Sequence, residues 1–224
     1  MEGLDRAAVV DTWVKKYRRK YLRAIRHPFI LGIRDGSVEM SSFRRWLAQD
    51  YLFVRAFVPF VASVLVKAWK ESDDNFDVDV ILAGIAALNE EIAWFKKEAM
   101  KWNVILDDVE AEKINLDYCN FLESLMSSEV SYTQSVTIFW AIEVVYQESF
   151  AHCLEDGSKT PDELKDTCHR WGSEGFGHYC QDLKNIANRR LEKVSDDVLV
   201  KTEASLLCVL EHEVEFWNMS RGAN

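Results

Sequence analysis

This sequence is poor in the residues that interrupt helices, with only three prolines and nine glycines among 224 residues. Long stretches contain neither residue, and both are costly inside a helix. Apolar residues make up 48% of the chain, enough for one substantial hydrophobic core. The composition therefore predicts an all-α protein, a single helical domain over residues 1–224 built as a bundle of seven or more helices.

The chain also lacks an excess of positive charge and a long apolar run. Its formal net charge is −10, so neither nucleic acid nor an anionic membrane surface is expected as a partner. The most apolar segment, VPFVASVLV, is soon followed by Lys67 and Lys70 and falls short of a membrane span. The first ten residues lack the basic and then apolar pattern of a secretion signal.

Cysteines are few and form no Cys-x-x-Cys motif; the five are Cys119, Cys153, Cys168, Cys180 and Cys208. An odd number of scattered cysteines argues against a disulfide framework and against a zinc site. This pattern predicts reduced thiols and a cytoplasmic location, with no metal and no cofactor. Phosphate loops, dinucleotide fingerprints and Gly-x-Ser-x-Gly elbows are likewise missing from the sequence.

What the chain does have is acidic residues within apolar helical faces. In segment 131–155, residues spaced three and four apart define one such face: Val136, Phe139, Trp140, Glu143, Tyr146, Gln147 and Phe150. Asp50 has Trp46 and Phe53 at helical neighbour positions, and Glu213 has Phe216 and Trp217. If these helices share one core, we expect three desolvated carboxylates in aromatic surroundings. Glu91 is a fourth candidate, but an interface glutamate paired with a lysine explains it more simply.

Buried carboxylates in an aromatic setting suit two tasks. They hold a cationic or amidine-like heterocycle by its N–H edge, or they act as general acids and bases, because burial moves a carboxyl pKa toward neutrality. A carboxylate-bridged di-iron site is an alternative on a helical bundle. The pairs Glu148/His152 and Glu174/His178 are four residues apart and do not reproduce its Glu-x-x-His motif.

Local signals predict where the helices begin and end. We expect a first helix over 5–27, with Leu22 facing inward. A second is expected over 43–70, capped by Ser41 or Ser42 and kinked or broken at Pro59. A third is expected over 78–102, with Leu82 in its apolar stripe. Further helices are expected over 107–126, 131–155, 161–171 and 179–194, the last after a break in GSEGFGHYC, and from Ser195 to about Met219.

Three segments, in this order, carry a resemblance: SSFRRWLAQDYLFVRAFVPFVASVL, FWAIEVVYQESFAHCLEDG and LEHEVEFWNMS. They resemble the TenA / thiaminase II family over nearly the whole chain, most closely its plant-type TenA-E branch. The resemblance implies a heme-oxygenase-like all-α fold. It also implies a homo-oligomer, a dimer or tetramer, and a small-molecule aminopyrimidine as the substrate.

The resemblance also assigns roles to individual residues. Asp50 is similar to the family aspartate that holds the aminopyrimidine edge, and Glu213 in its E-x-x-F-W motif to the catalytic glutamate. The implied aromatic and polar lining of the substrate site is Phe53, Phe57, Tyr118, Tyr146 and Gln147. Phe53 stands where many members have a tyrosine, and Phe176 or Tyr179 substitutes for a second family tyrosine.

One departure from the family pattern bears on the reaction. Classical members carry a nucleophilic cysteine on the central helix, where this chain has Ala141, Ile142 and Glu143. Ile142 aligns closest to the cysteine position, and Glu143 is the residue expected to stand in for it. Without the thiol, classical thiaminase II activity is not expected.

The branch implies thiamin salvage: deformylation of N-formyl-aminomethylpyrimidine and deamination of aminomethylpyrimidine to hydroxymethylpyrimidine. Glu143 and Glu213 are then the catalytic residues. The alternatives are a non-catalytic carrier of pyrimidine or thiamin products, a di-iron oxidase on the same bundle, and a seed-maturation structural protein.

Overall fold

The computed structural model describes residues 8–72 and 74–222. Within them the chain forms ten α-helices and no strand: α1 Val9–Lys16, α2 Arg18–Ile25, α3 Pro28–Asp35, α4 Met40–Glu71, α5 Asn75–Lys101, α6 Lys113–Leu125, α7 Tyr132–His152, α8 Asp162–Gly172, α9 Glu174–Leu191 and α10 Asp196–Ser220. A short 3₁₀ turn, Leu106–Asp108, precedes α6. The all-α prediction is confirmed.

Several predicted helix boundaries are wrong for identifiable reasons. The first predicted helix is divided into α1 and α2 at Tyr17, and its part before Ala8 lies outside the described residues. Helix α4 begins at Met40 after Glu39, with no side-chain cap from either predicted serine. It then continues through Pro59 without a break, because proline removes one hydrogen bond and a long, well-packed helix tolerates that loss. The alternative prediction of a kink at Pro59 stays a prediction.

The predicted break in the glycine-rich segment is present at Ser173, but the helix after it begins five residues earlier than the predicted start at 179. Helix α9 already begins at Glu174, and the Ser173 side chain accepts a hydrogen bond from the backbone N–H of Phe176. This N-cap, which typically contributes about 1 kcal/mol, offsets part of the helix cost of Gly175 and Gly177, about 1 kcal/mol each.

Two residues predicted to face the core are exposed instead. Leu22 is 38% exposed and Leu82 is 52% exposed. Helical periodicity shows which residues share a face, but it does not show how wide a strip of that face another helix covers.

The described chain divides into two compact units. The first comprises the residues up to Val38 together with Thr133–Val214. It is held by contacts between residues far apart in sequence: the backbone N–H of Val10 donates to Asn188 Oδ1 at 2.9 Å, and α8 packs closely on α7 at Gly172. A Cβ atom added at Gly172 would lie 2.6 Å from the backbone nitrogen of Ala151.

The second unit comprises Glu39–Tyr132 and the residues from Glu215 onward. In it α4 packs on α5 and α6. Arg45 forms two hydrogen bonds with Glu112, both at 2.6 Å, and the buried Lys67 donates to the carbonyl of Leu125 at 2.8 Å, which caps the C-terminus of α6. Burial lowers the pKa of Lys67. The prediction of a single domain over 1–224 stays a prediction.

Helix α4 is also long and apolar enough to cross a membrane by length and composition, with a mean hydropathy of 1.7 over one 18-residue window. The sequence predicts no membrane span here, because Lys67 and Lys70 soon follow its most apolar segment. This measure is weak evidence, since the core helix of a soluble protein meets it as well.

Candidate functional site

Asp50 lies on α4 in the second unit, with 1% of its surface exposed. Phe53 and Phe57 follow it at helical spacing and are themselves buried, at 3% each. Trp46, one turn before Asp50, is fully buried. The predicted burial of Asp50 in an aromatic setting is therefore confirmed.

A hydrogen-bond pair sets the register of α4 against α6 beside this carboxylate. Asn115, fully buried on α6, donates through Nδ2 to the backbone carbonyl of Gln49 at 2.8 Å and to Gln49 Oε1 at 3.0 Å. Gln49 Oε1 also accepts from the backbone N–H of Glu112 at 3.0 Å. Tyr118 follows Asn115 by about one turn, as Phe53 follows Gln49. The pair therefore brings these two aromatic residues side by side.

The aromatic cluster that results is centred on Phe53. Its ring centroid lies 4.6 Å from that of Tyr118, 5.7 Å from Phe216 and 5.8 Å from Phe57, the last in a stacked arrangement. Phe216 was not among the predicted site residues. The sequence signal for it was its place three residues after Glu213, on the apolar face of the last helix.

In the first unit, Glu213 on α10 is fully buried, as predicted. Tyr146 on α7 is 6% exposed and packs against Phe150 and Trp171, with ring centroids 5.9 and 5.8 Å away. Trp171 lies on α8, so helical spacing along the sequence could not have predicted its contact with Tyr146. Tyr179 on α9 packs against Phe139, with ring centroids 6.3 Å apart.

Glu143 differs from the prediction, because its side chain is half-buried and not desolvated. Gln147 and Glu148, one turn further along α7, are half-buried as well. Burial, and then the charges of Glu143 and Glu148, raise the pKa of Cys180 on α9. Glu143 therefore acts electrostatically on a neighbouring thiol. Glu91 is half-buried too.

The predicted site residues thus fall into two groups. Asp50, Phe53, Phe57 and Tyr118 belong to the second unit, and Glu143, Tyr146, Gln147 and Glu213 to the first. Their roles in binding and catalysis stay predictions. Across residues 8–72 and 74–222, no group of three or more His, Cys, Asp or Glu side chains is arranged to hold a metal ion.

Solved structures with a similar fold show the broad class of protein to which this chain belongs. A TenA homologue from Pyrococcus furiosus superimposes with a TM-score of 0.85 at 23% sequence identity, over 94% of this chain and 98% of that one. At this level of identity the likeness concerns the fold, which is the TenA-like all-α bundle.

Sequence comparison identifies the family. A family model described as TENA/THI-4/PQQC matches residues 14–223. A "Probable bifunctional TENA-E protein" of Glycine max is 64% identical over 214 residues, 96% of this chain and 93% of that protein. A shorter match, 42% identical over 48 residues, joins 21% of this chain to 22% of an aminopyrimidine aminohydrolase of Helicobacter pylori. This chain belongs to the TENA/THI-4/PQQC family, and the resemblance inferred from its motifs is confirmed.

Proposed function

We propose that this chain is a thiamin-salvage hydrolase that acts on aminopyrimidine breakdown products of thiamin. Two reactions are proposed: deformylation of N-formyl-aminomethylpyrimidine, and deamination of aminomethylpyrimidine to hydroxymethylpyrimidine. Family membership, the Glycine max TENA-E relative and the match to an aminopyrimidine aminohydrolase support this proposal.

The structural observation that carries the proposal is the buried carboxylate of Asp50 beside the aromatic cluster around Phe53. An aminopyrimidine offers a flat ring and an edge with N–H donors. A carboxylate accepts from that edge in charge-assisted hydrogen bonds, and aromatic rings pack on the faces of the heterocycle. In the proposed complex, Asp50 accepts from the 4-amino group and from a ring nitrogen that carries a proton.

Glu143 and Glu213 are proposed to carry the proton transfers. In deformylation, water loses a proton to one carboxylate and its oxygen bonds to the formyl carbon. The C–N bond then breaks, and the nitrogen leaves as the amine after it receives a proton. In deamination, the oxygen of water bonds to the methylene carbon and ammonia leaves in the same way. A positioned acid–base group contributes roughly 10²–10⁴-fold to such steps.

The test is turnover of N-formyl-aminomethylpyrimidine, aminomethylpyrimidine and thiamin by the wild type, Glu143→Gln and Glu213→Gln. We expect the wild type to release formate and ammonia from the first two substrates, and each variant to lose about 100-fold or more in kcat. Glu215→Gln is the matched control, because Glu215 lies on the same helix as Glu213 and is exposed. The control should keep wild-type turnover.

The outcomes separate the competing functions. If Glu143→Gln leaves kcat unchanged, the catalytic role moves to Glu213 or Glu91. If none of the three substrates turns over but the aminopyrimidine still binds, the protein is a carrier and not a hydrolase. Turnover by wild type together with full activity of both variants would refute the proposed mechanism.

We also propose a cytoplasmic location and assembly into a homodimer or homotetramer. Two large apolar side chains on α4 support the assembly: Trp69 is 76% exposed and Val66 is 52% exposed. Light scattering coupled to size exclusion should give the mass of two or four chains, whereas a mass of one chain would contradict this proposal.

A further inference from the structure

A cavity of about 150 Å³ lies within the first unit, bounded by helices α1, α2, α7 and α9. Its inner wall consists of Tyr21, Trp140, Val144 and Cys180, all of them buried. Its rim carries partly exposed polar side chains, among them Glu148. A cavity of this volume admits a compact ligand, since an apolar cavity of similar size binds benzene.

The charges around the cavity do not balance. Lys184 donates to Asp11 at 2.5 Å, so these two charges offset each other. Glu148 accepts from the hydroxyl of Tyr21 at 2.9 Å, which is a neutral donor. No lysine, arginine or histidine of the described chain forms an ion pair with the Glu148 carboxylate. Arg26 donates to the backbone carbonyls of Glu148 and Ile25, at 2.8 and 2.9 Å. The charged side chains that line the cavity, Asp11, Lys184 and Glu148, therefore sum to one negative charge.

The charge of Glu148 also affects the thiol of Cys180 in the inner wall. Burial, and then Glu143 and Glu148, raise the pKa of Cys180, so this thiol is neutral at physiological pH. The wall therefore contributes no thiolate, and the negative potential in the cavity comes from the carboxylate of Glu148 at its rim. A cation is the ligand that such a potential favours.

Two residues that line the cavity carry a polar group without a hydrogen-bond partner in the described part of the chain. The indole N–H of Trp140 is buried and has no acceptor among the described residues. The side-chain amide of Gln147 makes no hydrogen bond with any described residue, and it rests against Gly177, where an added Cβ atom would lie 3.3 Å from Gln147 Nε2. Gln147 is half-buried, so its amide carbonyl can accept from an N–H donor of a ligand, whereas the buried indole N–H of Trp140 is itself a donor and does not bond to a cation.

We propose that this cavity is a second binding site, for a small organic cation: an ammonium or amidinium group on a body no larger than one six-membered ring. Glu148 accepts the charged N–H donors, and the carbonyl of Gln147 accepts a further one. Trp140 and Val144 pack against the apolar body. Binding at this site does not require the hydrolase activity proposed above. Its lining includes Gln147, which the family resemblance also places at the substrate site, and none of the residues of the aromatic cluster around Phe53.

The test compares two probes of nearly the same size and shape, benzylammonium and the neutral benzyl alcohol, by titration calorimetry. We expect the wild type to bind benzylammonium at least tenfold more tightly than benzyl alcohol, because hydrogen bonds to a charged group are the stronger ones. Glu148→Gln should abolish this preference. Glu211→Gln is the control: it makes the same charge change on an exposed glutamate of α10 that does not line the cavity, and it should keep the preference.

A second variant and a local probe keep the test decisive if Glu148→Gln folds poorly. Asp11→Asn releases the ammonium of Lys184 into the cavity and should weaken benzylammonium binding about tenfold. The indole N–H resonance of Trp140, assigned with Trp140→Phe, should shift during the titration. Absence of binding at millimolar probe, equal affinity for both probes, or binding that leaves the Trp140 resonance in place would each overturn the proposal.

Discussion

The substitution Asn115→Ala tests how α4 and α6 are held in register. Asn115 is fully buried and makes two hydrogen bonds to Gln49, at 2.8 and 3.0 Å. Both Gln49 acceptors keep a hydrogen-bond donor after the substitution. Its backbone carbonyl lies inside α4, and its Oε1 still accepts from the backbone N–H of Glu112. The loss is therefore that of two ordinary hydrogen bonds and not of a desolvated acceptor, which amounts to about 2–3 kcal/mol.

For a chain of this length, each kcal/mol corresponds to a change in Tm of about 2–4 °C. Asn115→Ala should therefore lower Tm by about 4–12 °C, measured by calorimetry or by circular dichroism. Asn185→Ala is the matched control, because Asn185 is exposed and accepts a single hydrogen bond from Gln181 at 2.9 Å. It should change the free energy of unfolding by no more than about 0.5 kcal/mol.

A double-mutant cycle with Gln49→Ala then isolates the pair. The two substitutions remove the same interaction, so their effects should fall short of additivity by about 1 kcal/mol or more. A Tm for Asn115→Ala that matches the control, or strict additivity with Gln49→Ala, would refute the assignment of this pair as the contact that sets the register.

Two further predictions concern single positions in the first unit. Gly172→Ala should lower the free energy of unfolding by about 1–3 kcal/mol, because its Cβ would lie 2.6 Å from the backbone of Ala151. Gly175→Ala has open space and should raise that free energy by about 0.4–1 kcal/mol. Both are measured by urea unfolding, and equal effects would contradict the close packing of α8 on α7. The raised pKa of Cys180 means that the unfolded state loses its thiol proton first, so the free energy of unfolding should fall as pH rises above the ordinary thiol value of 9.0. Cys180→Ala should make this decline shallower by about 1 kcal/mol per pH unit. Substitution of the exposed Cys208 by alanine should change the slope much less. If the free energy of unfolding falls equally steeply with pH in the wild type and in Cys180→Ala, the prediction is refuted.

The sequence by itself determined the features that depend on near neighbours along the chain. The scarcity of proline and glycine predicted an all-α fold, and residues three and four positions away predicted the burial of Asp50 and Glu213. Three ordered motifs were sufficient to identify the family. The burial prediction needs only helical periodicity, because one turn of helix brings such residues onto a common face.

Only the tertiary structure decided what depends on which helices meet. Glu143 shares a helical face with buried aromatics, yet it is half-buried, and periodicity does not show how much of a face α9 covers. Gln49 and Asn115 lie 66 residues apart, so no local pattern could have paired them. The cavity at Glu148 has walls from four helices. Its shape and its net negative charge exist only once those helices have packed together.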